Sequence, residues 1–195
     1  MSNLKQQKDL IRNKIIKLRL ELSDDQIAID SAMIALKLQK IDCFRIAKGV
    51  LLYMPIKNEV ETKYMLSLLE KSKKHVFLPA FSNSGWIISK FKIDENLISG
   101  PFDIKQPKKI SRGHISDCDI AIIPGIVFSD DGVRVGYGKG VYDRLLKNTD
   151  CLKIGLCYDF QIVKYLKPKP NDVPMDIVIS EKRIIRRQNL LFSNK

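Results

Sequence analysis

Residues 130–146 read DDGVRVGYGKGVYDRLL, and the residue types able to do chemistry crowd together there. Gly132, Gly136, Gly138 and Gly140 are interleaved with Arg134, Tyr137, Lys139, Tyr142 and Asp143. An apolar run, 119–124, precedes them and reads as a buried strand. An amphipathic run from Val141 to Leu146 follows and reads as the start of a helix. A glycine-dense loop between strand and helix lets backbone N–H groups converge on a phosphate at the positive helix end. Arg134 and Lys139 add full charges, and Asp143 offers a hard oxygen to a metal ion. The same glycines also suit a tight turn that needs positive φ. The charged residues set among them favour a loop that receives a nucleotide or another phosphorylated ligand.

The loop matches neither common phosphate fingerprint. A Walker A loop has four residues between its glycine and the Gly-Lys pair, then Ser or Thr. Here five residues separate Gly132 from Gly138, and Gly140 follows Lys139. Gly136, Gly138 and Gly140 run G-x-G-x-G, which is not the dinucleotide G-x-G-x-x-G.

The stretch from Pro124 to Asp143, PGIVFSDDGVRVGYGKGVYD, resembles the 5-formyltetrahydrofolate cyclo-ligase family, also called methenyltetrahydrofolate synthetases. That pattern is roughly P-G-x-x-F-D-x-x-G-x-R-x-G-x-G-x-G-Y-Y-D. Ser129 stands at its first aspartate and Val141 at the first tyrosine of its pair. The resemblance extends over most of the chain. It implies that an N-terminal helix gives basic side chains to ATP, here Lys8 and Arg12, one turn apart. It implies a folate-binding turn in residues 53–62, with Glu59 accepting hydrogen bonds from the pterin and Met54 as an apolar contact. Phe102 matches an aromatic that packs on the folate, with Tyr137 and Val141 beside it. The ATP side takes Arg134, Gly136, Tyr137, Gly138, Lys139, Gly140 and Tyr142. In the tail segment 170–176, Asp172 is expected to join Asp143 in binding a magnesium ion, Mg2+. Magnesium favours a few hard oxygen ligands completed by phosphate oxygens. Each site residue also has a plainer reading: a solvated helix face for Lys8 and Arg12, helix-start preference for Glu59, a loop aromatic covering the core for Phe102, and a turn beside proline for Asp172.

The elements that must position these residues follow from periodicity. Residues 4–22 have helical spacing, with Ile11, Ile15, Leu18 and Leu22 in one stripe and Lys8, Arg12 and Arg19 on an adjoining face. Ser23-Asp-Asp-Gln26 reads as a capping box opening a helix to about residue 38. Strands are expected at 47–54, 75–79, 86–93, 119–123, 153–158 and 175–180, and helices at 60–73 and 160–166. Residues 97–115 read mostly as loop. Short apolar strands alternating with helices predict one α/β domain, a three-layer sandwich with a mostly parallel central sheet flanked by helices.

The bulk numbers fit. The chain has 195 residues, 45% of them hydrophobic, enough for one real core. No secretory, transit or long apolar segment is visible, so a cytoplasmic protein with no membrane partner is expected. Its four scattered cysteines read as reduced thiols. A net charge of +12 suits an anionic partner. The lysines are scattered and no nucleic-acid motif is present, so a solvated basic surface is favoured over a nucleic-acid footprint.

The resemblance implies an ATP-dependent cyclisation of 5-formyltetrahydrofolate to 5,10-methenyltetrahydrofolate, with ATP as co-substrate; Arg134 and Lys139 are the expected catalytic residues, and a monomer is expected. No Ser-His-Asp or Cys-His constellation is seen, and phosphoryl transfer does not need one. Two other classes stay open on the residues alone. A sugar-phosphate isomerase or transferase would use the loop without ATP and would need a general base, for which Asp143 is the candidate. A nucleic-acid-binding module would show a steep salt dependence.

Overall fold

Five short apolar runs become the parallel centre of a seven-stranded sheet. The computed structural model describes residues 2–187. Its helices are α1 (Ser2–Leu20), α2 (Asp24–Gln39), α3 (Asp42–Ile46), α4 (Lys63–Lys71) and α5 (Val141–Leu145). Its strands are β1 (Gly49–Leu51), β2 (His75–Ser82), β3 (Gly85–Phe91), β4 (Leu97–Ser99), β5 (Lys105–Pro107), β6 (Ile120–Pro124), β7 (Val127–Ser129), β8 (Arg134–Val135), β9 (Leu152–Leu156), β10 (Ile162–Val163), β11 (Ile177–Ile179) and β12 (Ile184–Arg186). The main sheet runs in the order β12-β11-β9-β6-β1-β2-β3. Strands β11, β9, β6, β1 and β2 are parallel, and β12 and β3 close the edges antiparallel. Central strands covered on both faces read as unbroken apolar runs, and Val50, Leu51, Ile122, Ile123, Ile154 and Ile179 are fully buried.

Chain direction decides where a ligand can enter. From β1 the chain crosses through α4 to β2 on one side, whereas from β6 it crosses through α5 to β9 on the other. Right-handed crossovers in opposite directions put α4 and α5 on opposite faces. Because α2 packs on α4, the architecture is the expected three layers. Strand order reverses between β1 and β6, and their C-terminal ends open a crevice there, the usual ligand position of open α/β sheets. The chain leaves β1 into residues 52–62 and leaves β6 into the glycine-rich segment.

Several local expectations hold. Ser23 caps α2, its hydroxyl accepting from the Gln26 N–H at 3.2 Å. Others need correction. Along α1 the buried positions are Lys8, Ile15 and Arg19, with Arg12 half-buried, while Leu18 is exposed. Of the predicted apolar stripe, Ile15 is buried and Ile11 and Leu22 pack against the core, so only Leu18 departs, and the adjoining polar face with Lys8 and Arg19 is turned inward as well. No helix forms at 160–166. Asp159–Gln161 is a 3-10 turn and β10 pairs with β7. The cause is Gln161, whose buried amide donates to the carbonyls of Gly125 (3.0 Å) and Ile126 (2.8 Å) and holds the chain against the body. Within 97–115 a small hairpin, β4 with β5, interrupts the loop. Among the described residues no helix is long and apolar enough to cross a membrane.

Candidate active site

The crevice at the strand-order reversal is a cavity of about 330 Å³. Helix α1 supplies Lys8 and Arg12, the loop after β1 supplies Ile56, Lys57 and Glu59, and a 3-10 turn supplies Phe102. The hairpin of β7 and β8, with the segment after it, supplies Arg134 and residues 136–143, and the tail adds Lys169 and Asp172. Every site residue expected from the sequence lines this cavity except Met54, which is half-buried against the core. The reason is a tight turn. Glu59 N–H bonds the Ile56 carbonyl at 3.0 Å, with Lys57 and Asn58 at φ 49° and 56°. That reversal brings Ile56, not Met54, to the wall.

The glycine-rich segment forms the floor. Gly138 (φ 84°) and Gly140 (φ 62°) adopt the left-handed conformation that glycine takes without strain. Its carbonyls are held by side chains. Arg12 Nε donates to Gly136 O at 2.9 Å, and Arg144 Nη2 to Lys139 O at 2.8 Å. Among the described residues, the N–H groups of 136–140 donate to no protein acceptor. Helix α5 has only five residues. The expected helix-end field is therefore small, and an anion there would be met by the amides of 136–140 and the basic side chains.

Arg134 lies inside the rim. Its Nη2 donates to Asp143 Oδ1 at 3.1 Å, its Nη1 to Pro124 O at 3.3 Å, and its guanidinium stands 5.6 Å from the Tyr142 ring centre. Among the described residues the buried Arg134 Nε has no partner, which leaves an unmet donor on a cavity wall. Lys139 is exposed at the mouth, its ammonium 4.9 Å above the Phe102 ring. Phe102 is half exposed in a left-handed backbone conformation (φ 61°) and stacks on Trp86 at 6.4 Å.

The two predicted metal carboxylates are brought together. The Val173 N–H reaches Asp143 Oδ1 at 3.4 Å, which ties the segment carrying Asp172 to α5. Lys8 and the Lys169 N–H both bond Asp172 Oδ2, at 3.0 and 2.9 Å. Asp143 Oδ2 and Asp172 Oδ1 carry no hydrogen bond among the described residues. Two free hard oxygens fit magnesium when phosphate completes the octahedron. No group of three or more His, Cys, Asp or Glu suited to a metal occurs among the described residues, so a magnesium ion here would take its remaining ligands from phosphate or water oxygens.

Across the floor stands Glu59, 5% exposed. Burial pushes its carboxyl up to about 7, opposed chiefly by Arg19 and by the Ile56 N–H that bonds Oε2 at 3.1 Å. Sequence reasoning passed over Arg19, Lys57 and Lys169 as site residues. The signal for Arg19 was its place on the helix face of Lys8 and Arg12.

Residues 4–181 match the model of the 5-formyltetrahydrofolate cyclo-ligase family. The chain belongs to that family. A 5-formyltetrahydrofolate cyclo-ligase from Haemophilus influenzae is 29% identical over 184 residues, covering 89% of this chain and 98% of the relative. One from Mycoplasma genitalium is 30% identical over 182 residues, covering 88% and 96%. Among solved structures, the 5,10-methenyltetrahydrofolate synthetase of Aquifex aeolicus superposes with a TM-score of 0.84 at 32% identity, covering 93% of each chain. The family's ligase activity on folate gives each cavity wall a substrate to be weighed against. The two departures from the family pattern find places in the fold. Ser129 is fully buried in the hairpin turn, where its hydroxyl donates to Asp131 and accepts from Val133 N–H at 3.2 Å. Val141 is buried in α5 and presents an aliphatic wall to the cavity.

Proposed function

We propose that this cavity holds ATP and 5-formyltetrahydrofolate face to face and closes the methenyl ring by phosphorylating the formyl oxygen. One observation carries the reading: free amides and convergent cations form one side of a single crevice, and a buried carboxyl forms the other. The triphosphate lies on the amides of 136–140, held by Lys8 and Arg12, with Tyr142 behind it. The pterin presents its amino and ring N–H groups to Glu59, and Phe102, Tyr137 and Val141 pack on the folate. The formyl oxygen attacks the γ-phosphorus, and the bond to the β-phosphate oxygen breaks toward ADP. N10 then attacks the formyl carbon and gives its proton to solvent. The C–O bond breaks and inorganic phosphate leaves with the former formyl oxygen.

An amide-like oxygen is a poor leaving group, and phosphorylation converts it into a good one. Arg134 and Lys139 stabilise charge that develops on the transferring phosphoryl group, where preorganised donors act most strongly. Magnesium held by Asp143, Asp172 and phosphate oxygens supplies charge neutralisation. Holding both substrates in one crevice supplies the proximity such chemistry requires. The reading takes the protein as a cytoplasmic monomer acting on small molecules, without nucleic acid. Lys8, Arg12, Lys57, Arg134, Lys139 and Lys169 all line the cavity, which supports a polyanionic ligand there.

Mixing protein, magnesium, ATP and 5-formyltetrahydrofolate is expected to generate methenyl absorbance near the ultraviolet edge, and omitting ATP to abolish it. Absorbance that grows equally without ATP contradicts the ligase reading. Lys139→Ala is expected to lower turnover on the order of 10²-fold with an unchanged melting temperature, because Lys139 is exposed. Full turnover in that variant removes Lys139 from the mechanism.

A further inference from the structure

Arg19 is the largest fully buried side chain, 1% exposed, yet it does not line the cavity. Every acceptor of its guanidinium belongs to a cavity wall. Its Nε donates to Lys57 O at 2.9 Å, its Nη1 to Gly125 O at 3.2 Å and its Nη2 to the Tyr137 hydroxyl. Glu59 Oε1 lies 3.9 Å from Nη1. In return Asn58 Nδ2 donates to the Arg19 carbonyl at 3.3 Å. One guanidinium thus joins the turn after β1, the end of β6 and the glycine-rich segment. We propose that Arg19 is a positioning residue that holds the Glu59 turn in register against the glycine-rich segment, and so sets how well the reduced pterin is gripped.

The backbone gives a reason for such a clamp. Lys57 and Asn58 are consecutive residues in the left-handed region, at φ 49° and 56°. Non-glycine residues stay there only where the surroundings hold them. Arg19 grips the carbonyl of the first, and the side chain of the second grips Arg19. A lysine has the charge but not the planar fork that reaches several acceptors at once. A buried charge is also a poor device for stability alone, since apolar replacements often do as well.

Glu59 is faced by Arg19 from α1, Arg134 from β8 and Lys57 from its own turn, with Tyr53, Tyr137 and Tyr142 around it. Of the three cations Arg19 opposes the effect of burial most. Removing it leaves a carboxyl that keeps its proton to higher pH.

The proposal rests on the reading of Glu59 as the pterin acceptor, and the variants separate the two. In Arg19→Lys and Arg19→Met the KM for 5-formyltetrahydrofolate is expected to rise on the order of 10-fold or more, while the KM for ATP changes far less. The pH above which folate is well bound is expected to move upward, with Arg19→Lys intermediate. Glu59→Gln should raise the folate KM and abolish that pH dependence. If Glu59→Gln does neither, the reading of Glu59 fails. If Glu59→Gln behaves as expected while both Arg19 variants keep the normal folate KM and pH profile, the Arg19 proposal is overturned. Equal rises in both KM values that track lost thermal stability overturn it too. Should Arg19→Met not fold, Arg19→Lys decides.

Discussion

Glu59 is the residue on which pH acts most directly. Its folded-state carboxyl is raised from 4.5 to about 7 by burial. A group whose proton is held more tightly in the folded state stabilises fully below its unfolded value, and that stabilisation is lost as pH rises through the folded value. Here the window runs from 4.5 to about 7. Glu59→Gln should therefore gain melting temperature relative to wild type as pH rises through this window. Folate binding has the opposite sign, because pterin N–H donors need the ionised carboxylate. The kcat/KM for folate should rise with pH around 7, and calorimetry in buffers of different ionisation enthalpy should show proton release on binding. Glu59→Gln should lower that kcat/KM roughly 10- to 100-fold, the scale of a lost charged hydrogen bond. A pH profile as steep in the variant as in wild type would show that another group titrates. Lys8, Arg12, Asp143 and Asp172 were singled out by the family resemblance, and all four line the cavity. Arg19 was not, since a cation on an amphipathic helix reads as solvated and only tertiary contacts bury it. Nor does any local rule reveal that Phe102 takes a left-handed backbone conformation.

At the scale of elements, the site hangs on two pieces that lie outside the main sheet. Helix α1 docks through Ile15, with Ile11 and Ile16 beside it, on a small cluster with Ile126, Val127, Val133, Val135 and Leu166, and its inward side also carries Lys8, Arg12 and Arg19. The hairpin of β7 and β8 is pinned at Gly132, at φ 83°, whose carbonyl accepts from Met175 N–H at 2.8 Å. A Cβ there would press into the Met175 carbonyl. Gly132→Ala should cost about 2 kcal/mol or more and lower the melting temperature by roughly 5 °C. An unchanged melting curve would mean the hairpin relaxes freely at that point. Long helices and the longer strands were readable from period. Strands of two or three residues, such as β8 and β10, are too short to show one, and their pairing as a separate sheet depends on partners distant in sequence.

For the molecule as a whole, function follows from sheet order. Local apolar runs announce the strands but not which strand lies beside which. The pairing of β1 with both β2 and β6 creates the reversal, and the reversal creates the crevice where the loop carrying Glu59 and the segment starting at Gly125, 66 positions later along the chain, confront each other. The account stands on a phosphoryl group reaching the formyl oxygen inside that crevice. Single-turnover reaction of ATP with 5-formyltetrahydrofolate carrying oxygen-18 in its formyl group, read by phosphorus NMR of the released phosphate, tests this directly. The label should appear in inorganic phosphate. Label recovered in water, with unlabelled phosphate, would contradict the account.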